Sequence, residues 1–400
     1  MDAGLKQPRD EVAVPAVRSI VLPEVEFVKK FRLGRQVCLL RASQTVDVLR
    51  IVRELAYGRT YFNVWELSTG DRIMVVDRKP RAVPAGITGV LESTDLGYRW
   101  QWHSLLEDFT ERVNADAPAV ATGIEQTWKD KFHFRMEEAD ATGTVLPGNE
   151  GLRPPQIGAL HAVGSHWSIL PHEVATVVMP TGTGKTETML CTVVNYRRGP
   201  TLVLVPSRAL RNQTLGKFRK LGLLRDLGLV DLAIPNPVVG VVTKEPNCAE
   251  DLEIFRGCNV VVAVMASLGA PGVAPFRPDI AAAFGSLFVD EAHHIPSDTW
   301  SEFRSHFTAH RIVQFTATPF RLDKKLVDGR VIFNYPLAAA QRDRYFKKIT
   351  FLPVFELDPE EADEAIACAR SARRSAIRPP SFAHGQVQAH CPWHEGKGDL

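Results

Sequence analysis

Four hundred residues with 45% hydrophobic and 24% charged side chains make an ordinary soluble chain, long enough for two or three domains and a full core. A net charge of +2 excludes a passive nucleic-acid binder that works by bulk basicity. The six cysteines (38, 191, 248, 258, 368 and 391) lack paired spacing, which excludes a disulfide framework and favours reduced thiols in the cytoplasm.

In chain order, residues 1–23 carry Pro8, Pro15 and Pro23 with little periodicity and read as a disordered tail without the apolar stretch of a signal peptide. Residues 24–140 read as a smaller α+β accessory domain of unassigned role. Residues 37–40 and 73–76 look like strands, and residues 46–55 and 102–113 like helices. Four of the seven tryptophans (65, 100, 102 and 128) lie there and point to a separate core. Residues 141–155, rich in Gly and Pro, read as a linker. From 156 to 345, short β-branched apolar runs recur at 174–178, 201–205, 238–243, 259–264, 286–290 and 312–316, with helical material between them. That spacing predicts an α/β fold, a doubly wound parallel sheet with crossover helices. The most apolar run, 260–276, is broken by Gly269, Pro271, Gly272 and Pro275, so it reads as buried strand and loop and no membrane partner is expected. Residues 346–400 read as a partly disordered extension.

Two motifs carry chemistry. Met179-Pro-Thr-Gly-Thr-Gly-Lys-Thr-Glu-Thr188 follows a predicted strand and opens a predicted helix, the context of a phosphate-binding loop. Thr181, Gly182, Thr183 and Gly184 would wrap a triphosphate with backbone N–H groups. Lys185 would reach the β- and γ-phosphates, and Thr186 would hold Mg²⁺. The strict pattern has Gly where this chain has Met179. The second motif, Ser286-Leu-Phe-Val-Asp-Glu-Ala-His-His294, delivers Asp290 and Glu291 at a strand end, where ligands bind in open α/β sheets. Adjacent carboxylates there call for a cation. Asp290 is the second candidate ligand for magnesium, and Glu291 the candidate to polarise the attacking water. Residues 201–225 hold six basic side chains (208, 211, 217, 219, 220 and 225) and no acid, so the helix after Ser207 could show a basic face.

These motifs, in this order, resemble the first, RecA-like, ATP-binding lobe of a superfamily 2 helicase of DEAD/DEAH type. Asp290-Glu-Ala-His293 stands where such proteins have their DEAH box. The resemblance covers about half the chain and adds further candidates. Arg153-Pro-Pro-Gln156 is similar to the segment whose glutamine reads the adenine edge. Pro206-Ser207-Arg208 and the turn holding Ser267 resemble contacts to the nucleic-acid backbone. His293, Thr316 and Thr318 resemble residues that couple ATP to nucleic acid. Thr316-Ala-Thr-Pro-Phe-Arg321 looks most like the type I/III restriction-enzyme motor and excision-repair branch, which implies duplex DNA rather than RNA.

The resemblance therefore implies an ATP hydrolase with ATP and Mg²⁺ as cofactors and DNA as partner. No second RecA-like lobe with a phosphate-facing arginine is legible after residue 340, so it would come from another chain or a missing segment, and turnover alone would be weak. Two alternatives stand beside this reading. One is an ATP-responsive DNA-binding module or truncated motor. The other is a nuclease–motor fusion with Asp71, Asp77 and Lys79 around a metal. A zinc site at His384, His390, Cys391 and His394 is disfavoured because paired cysteine ligands are lacking.

Overall fold

The computed structural model describes residues 19–346, apart from residues 57–59, 78–79, 81, 96, 141–143, 269–276, 295–296, 308–310 and 321–326. The strands β1 (Ser19–Leu22), β2 (Val25–Lys30), β3 (Gly34–Arg41), β4 (Gln44–Ala56), β5 (Thr60–Leu67), β6 (Arg72–Val76), β7 (Gly89–Thr94) and β8 (Gly97–His103) come first. The helices α1 (Ser104–Thr127) and α2 (Pro154–Ile169) follow. Strand and helix then alternate through β9 (Ala175–Val178), α3 (Lys185–Tyr196), β10 (Thr201–Val205), α4 (Arg208–Phe218), β11 (Val239–Val242) and β12 (Val260–Val264). The run closes with α5 (Arg277–Ala282), β13 (Ser286–Asp290), α6 (Ser297–Ser305), β14 (Arg311–Thr316), β15 (Arg330–Asn334) and α7 (Leu337–Arg342).

A nine-stranded sheet has the order β15-β9-β14-β13-β10-β12-β11-β3-β2. Every neighbouring pair from β15 to β11 is parallel. These strands are near-continuous apolar runs because helices cover both faces; β10 and β13 are buried at every position. The predicted doubly wound parallel sheet is therefore present. It places the C-terminal ends of β9, β10, β12, β13 and β14 along one edge.

The expected separation at residue 140 is not what the chain adopts. β3 pairs antiparallel with β11, and β2 with β3, so residues 25–41 finish the large sheet. Arg32 Nε donates to Asp251 Oδ1 at 2.7 Å, and Gln36 Nε2 donates to the Ile254 carbonyl at 3.0 Å. Trp128 is 1% exposed in the main core and donates from its ring nitrogen to the Pro235 carbonyl at 3.0 Å. What stands apart is a six-stranded sheet, β1-β4-β5-β6-β7-β8, with a small apolar cluster on each face. The stretch expected to link the domains is tied down instead. Leu152 bridges to Met136 and Val145 to Ala139.

Residues 46–55, expected as a helix, lie in β4. A register shift between Val48 and Arg50 breaks the two-residue alternation, so Val46, Val48, Ile51 and Val52 imitate helical spacing. The β-branched content was the better guide.

The β3–β11 seam is tight at one glycine. A Cβ on Gly34 would stand 1.8 Å from the Val241 carbonyl oxygen, whereas a Cβ on Gly123 in α1 meets nothing within 4 Å. Gly34→Ala is expected to destabilise the chain by about 1–3 kcal/mol or more. Gly123→Ala is expected to stabilise it by about 0.5–1 kcal/mol. Urea unfolding of both variants checks the sign in each case.

Candidate nucleotide site

Residues 179–184 connect β9 to α3 and form the predicted loop. Gly182 and Gly184 have φ of 88° and 95°, the left-handed region where a side chain is strained. At Gly184 a Cβ would also lie 2.1 Å from Gln156 Nε2. Thr183 is fully buried and its hydroxyl donates to the Pro180 carbonyl at 2.7 Å, pinning the turn. Met179, the departure from the strict pattern, is fully buried, and its N–H donates to the Thr316 carbonyl at 2.9 Å. The side chain fills core beneath the loop, while the backbone ties the loop to β14. Thr181 is exposed and Thr186 half-buried, Thr186 in the first turn of α3, where free N–H groups and the helix dipole favour anions.

The second motif meets the first. Lys185, 7% exposed, donates from Nζ to Glu291 Oε1 at 2.7 Å. Asp290 ends β13, also 7% exposed. Burial, with the neighbouring Glu291 charge second, pushes its carboxyl up to about 6. Glu291 takes φ of 49°, and its N–H donates to Asp290 Oδ1 at 3.0 Å. Its Oε2 is buried without a hydrogen-bond partner, with His293 Nδ1 3.5 Å away.

The remaining candidates group around these two. Thr316, at the end of β14, donates from its hydroxyl to the Thr318 carbonyl at 2.7 Å and lies 2.9 Å from His293 Nδ1. With the hydroxyl proton so used, Nδ1 is the donor. Burial lowers the His293 pKa, with His294 adding to it, so the ring is neutral. His294 is exposed and packs against the His293 ring at 4.1 Å. Thr318 donates to the Phe320 carbonyl at 3.1 Å. Gln156, buried on α2, accepts from the Arg153 N–H at 2.8 Å and donates to the Gly184 carbonyl at 3.2 Å. It therefore braces the loop and keeps one donor and one acceptor position spare.

Ser207 caps α4, accepting from Leu210 N at 3.2 Å, and Arg208 is exposed beside it. Ser267 is half-buried in the 3₁₀ turn Met265–Leu268 that follows β12. β10 and β12 are neighbours, so these positions share one end of the sheet. The expected basic face is mostly spent internally. Arg211 donates to the Val242 carbonyl at 3.0 Å, and Lys217 pairs with Glu187 at 2.8 Å. Arg219 holds Glu24 and Glu26, and Arg225 donates to Asn236 Oδ1 at 2.8 Å. Arg208 and Lys220 remain exposed.

Among the described residues the nuclease alternative finds no clustered metal ligands. Asp71 accepts from Arg41 at 3.0 Å and Thr69 at 2.9 Å, Asp77 is exposed, and Lys79 lies outside the described residues. The C-terminal histidine–cysteine group also lies outside them. Among the described residues no three His, Cys, Asp or Glu side chains form a metal-sized cluster. The oxygens of Asp290 and Thr186 nevertheless suit a hard cation that completes its shell with ligand phosphates. The raised Asp290 carboxyl and the unpartnered Glu291 oxygen fit a place made for positive charge.

Several contributors were not singled out from sequence. Arg153 Nη1 donates to the Gly182 carbonyl at 3.1 Å, and Glu187 carries the link from α3 to α4. The signal available was half a capping box, Gln156 at the third helical position accepting from the Arg153 backbone N–H, since arginine itself has no acceptor.

An acid raised by burial costs stability only where it is ionised in the folded chain. Below about pH 4 both folded and unfolded forms are protonated, and the penalty grows to its full value above about pH 6. Asp290→Asn should therefore raise the melting temperature at about pH 8 and leave it unchanged at about pH 4. Melting curves at the two pH values check this, and an equal shift at both would place the cause elsewhere.

Residues 149–321 match the family model described as type III restriction enzyme, res subunit. A helicase-like protein, 109L, of Invertebrate iridescent virus 3 is 29% identical over 152 residues, 38% of this chain and 41% of that protein. The chain thus spans less than half the length of that relative. The UvsW helicase of bacteriophage T4 is similar over 56% of this chain and 76% of that one, at 13% identity and a TM-score of 0.31. The type ISP restriction-modification enzyme LlaGI, solved with a DNA substrate mimic, is similar over 56% of this chain and 23% of its own, at 18% identity and a TM-score of 0.34. No helix among the described residues is long and apolar enough to cross a membrane. The phosphate loop and the acidic strand end both lie within residues 149–321, the segment that matches that family model.

Proposed function

We propose that this chain binds MgATP at the loop of residues 179–186 and hydrolyses it as the ATP-binding lobe of a motor that moves on or remodels duplex DNA. The observation that carries the reading is the 2.7 Å contact between Lys185 and Glu291, which unites the two motifs at one strand-end edge. A triphosphate on the loop draws Lys185 from Glu291 to its β- and γ-oxygens. Glu291 is then free to accept a proton from, and orient, the attacking water. Asp290 and Thr186 would hold magnesium. Bound there, it would neutralise charge on the transferring phosphoryl group.

His293, Thr316 and Thr318 form the path from this centre to the strand ends that carry Ser207, Arg208 and Ser267. Those three residues would touch backbone phosphates, giving sequence-blind, salt-sensitive binding. The preference for DNA rests on the restriction-enzyme family match. The described residues hold one RecA-like sheet, whereas such a motor works between two. The second lobe, in another chain or in a longer form of this one, would supply an arginine worth about 10³–10⁵ in rate. A lobe working without that arginine would turn over slowly.

Steady-state ATP hydrolysis with and without duplex DNA tests the reading. Glu291→Gln should keep ATP bound and lower turnover by about 10²-fold or more. Lys185→Ala should weaken binding itself. Normal hydrolysis in Glu291→Gln would remove that residue from its role. Bound ATP with no turnover under any condition would favour a nucleotide-responsive DNA-binding module instead.

A further inference from the structure

The β2–β3 hairpin covers one edge of the large sheet, and its tip also gathers charge. Lys30, the last residue of β2, pairs directly with Arg35 on β3, and Arg35 pairs on its other side with Val241 of β11. Residues directly opposite in an antiparallel pair show their side chains on one face, so two cations stand side by side there and repel. The next residue, Gln36, faces the other way and donates to the Ile254 and Arg256 carbonyls at 3.0 and 2.7 Å. Glu26 shares the face of Lys30 and pairs with Arg219, the residue that ends α4. α4 therefore runs along this face with its N-terminal end toward the hairpin tip.

That end of α4 adds to the charge instead of neutralising it. Arg211 is 8% exposed. Its Nη1 donates to the Val242 carbonyl at 3.0 Å, and its Nε has no hydrogen-bond partner. Burial lowers its pKa, and the neighbouring charges of Arg208 and Arg35 lower it further. The nearest acids are engaged elsewhere. Glu24 and Glu26 are held by Arg219 at the far end of α4, and Asp251 by Arg32 in the hairpin turn. Lys30, Arg35 and Arg208 are exposed, and none has an ion-pair partner among the described residues. Four cations from β2, β3 and α4 thus meet beside Ser207.

Cations that repel one another yet stay together suit a ligand with repeated negative charge. A single phosphate would meet one or two of them, whereas the backbone of a duplex presents phosphates in series. Resting on the DNA reading above, we infer that the β2–β3 hairpin is part of the DNA interface, with Arg35 and Lys30 continuing the phosphate track beyond Ser207 and Arg208. The hairpin precedes residues 149–321, so the interface extends outside the matched segment.

Fluorescence anisotropy of a labelled duplex, titrated with the full chain over a series of salt concentrations, tests this. Arg35→Gln is expected to weaken binding about three- to tenfold, alike for unrelated sequences, and to lower the slope of log affinity against log salt by about one. Arg35→Lys should keep the slope. Arg256→Gln removes a charge before β12, at the opposite end of the sheet, and should change neither quantity. Unchanged affinity and slope in Arg35→Gln overturn the inference, and an Arg208→Gln chain that loses both leaves the DNA reading in place. An equal loss in Arg256→Gln also overturns it, as an effect of bulk charge. If Arg35→Gln does not fold, Lys30→Gln on the exposed edge strand is read in the same way. An unsubstituted chain that binds no duplex removes both the inference and the DNA reading, and calorimetry with MgATP then shows whether the nucleotide site stands without them.

Discussion

Two neighbouring carboxylates buried at the end of one strand are the constraint around which this molecule is arranged. Asp290 and Glu291 share a backbone step, and both are largely removed from water. Burial disfavours the charge of Asp290, and the neighbouring Glu291 adds to that. Asp290 shows the cost as a carboxyl raised to about 6. What offsets it is Lys185, brought from the first turn of α3 to 2.7 Å from Glu291. The arrangement therefore needs β9 and β13 in one sheet, a loop short enough to start α3 above both, and glycines where that loop turns left-handed. A charge placed there is worth far more than on the surface, because the low-polarity surroundings screen it poorly.

The sheet meets those demands by being almost wholly apolar in its centre, and this creates a second requirement. A parallel sheet whose strands are buried on both faces must also have its edges covered. On the β11 side the cover comes from β2 and β3, strands that precede all the parallel strands in sequence. Arg32 with Asp251, and Arg219 with Glu24 and Glu26, fasten that cover to the turns around it. The early part of the chain is thus divided. Its β2–β3 hairpin is structurally part of the nine-stranded sheet, and the six-stranded sheet stands outside it.

How much of this was legible in sequence follows from the range of each interaction. The central strands and the loop are local patterns, β-branched runs and glycines at fixed offsets, and each expected strand lies within a residue or two of its place. That Lys185 and Glu291 would face one ligand was legible as well, because two separate motifs needed it, but their direct contact was not. The partnership of β3 with β11 was not. Residues 37–40 announce a strand, but alternation does not say which sheet takes it. β4 was misread because a bulge shifted its phase. The basic side chains of α4 were counted correctly, yet charge in a sequence does not reveal that Glu187, Glu24 and Glu26 wait for it across the fold. Arg153 was passed over for its neighbour Gln156, since nothing near it in sequence points to Gly182.

Thr316 shows why a motif of small hydroxyl residues can join distant parts of such a domain. Its carbonyl accepts from Met179 at 2.9 Å, fixing the entry to the phosphate loop. Its hydroxyl stands between His293 at 2.9 Å and the Thr318 carbonyl at 2.7 Å. One residue at the end of β14 thus holds the loop, the turn after the acidic pair and the segment leaving the sheet. A hydroxyl can do this because it donates once and accepts as well, so the two bonds fix each other's direction. Glu291 Oε2 lies 3.5 Å from the same His293 nitrogen, so Lys185, Glu291, His293 and Thr316 form one continuous chain of polar contacts from the phosphate loop to the end of β14.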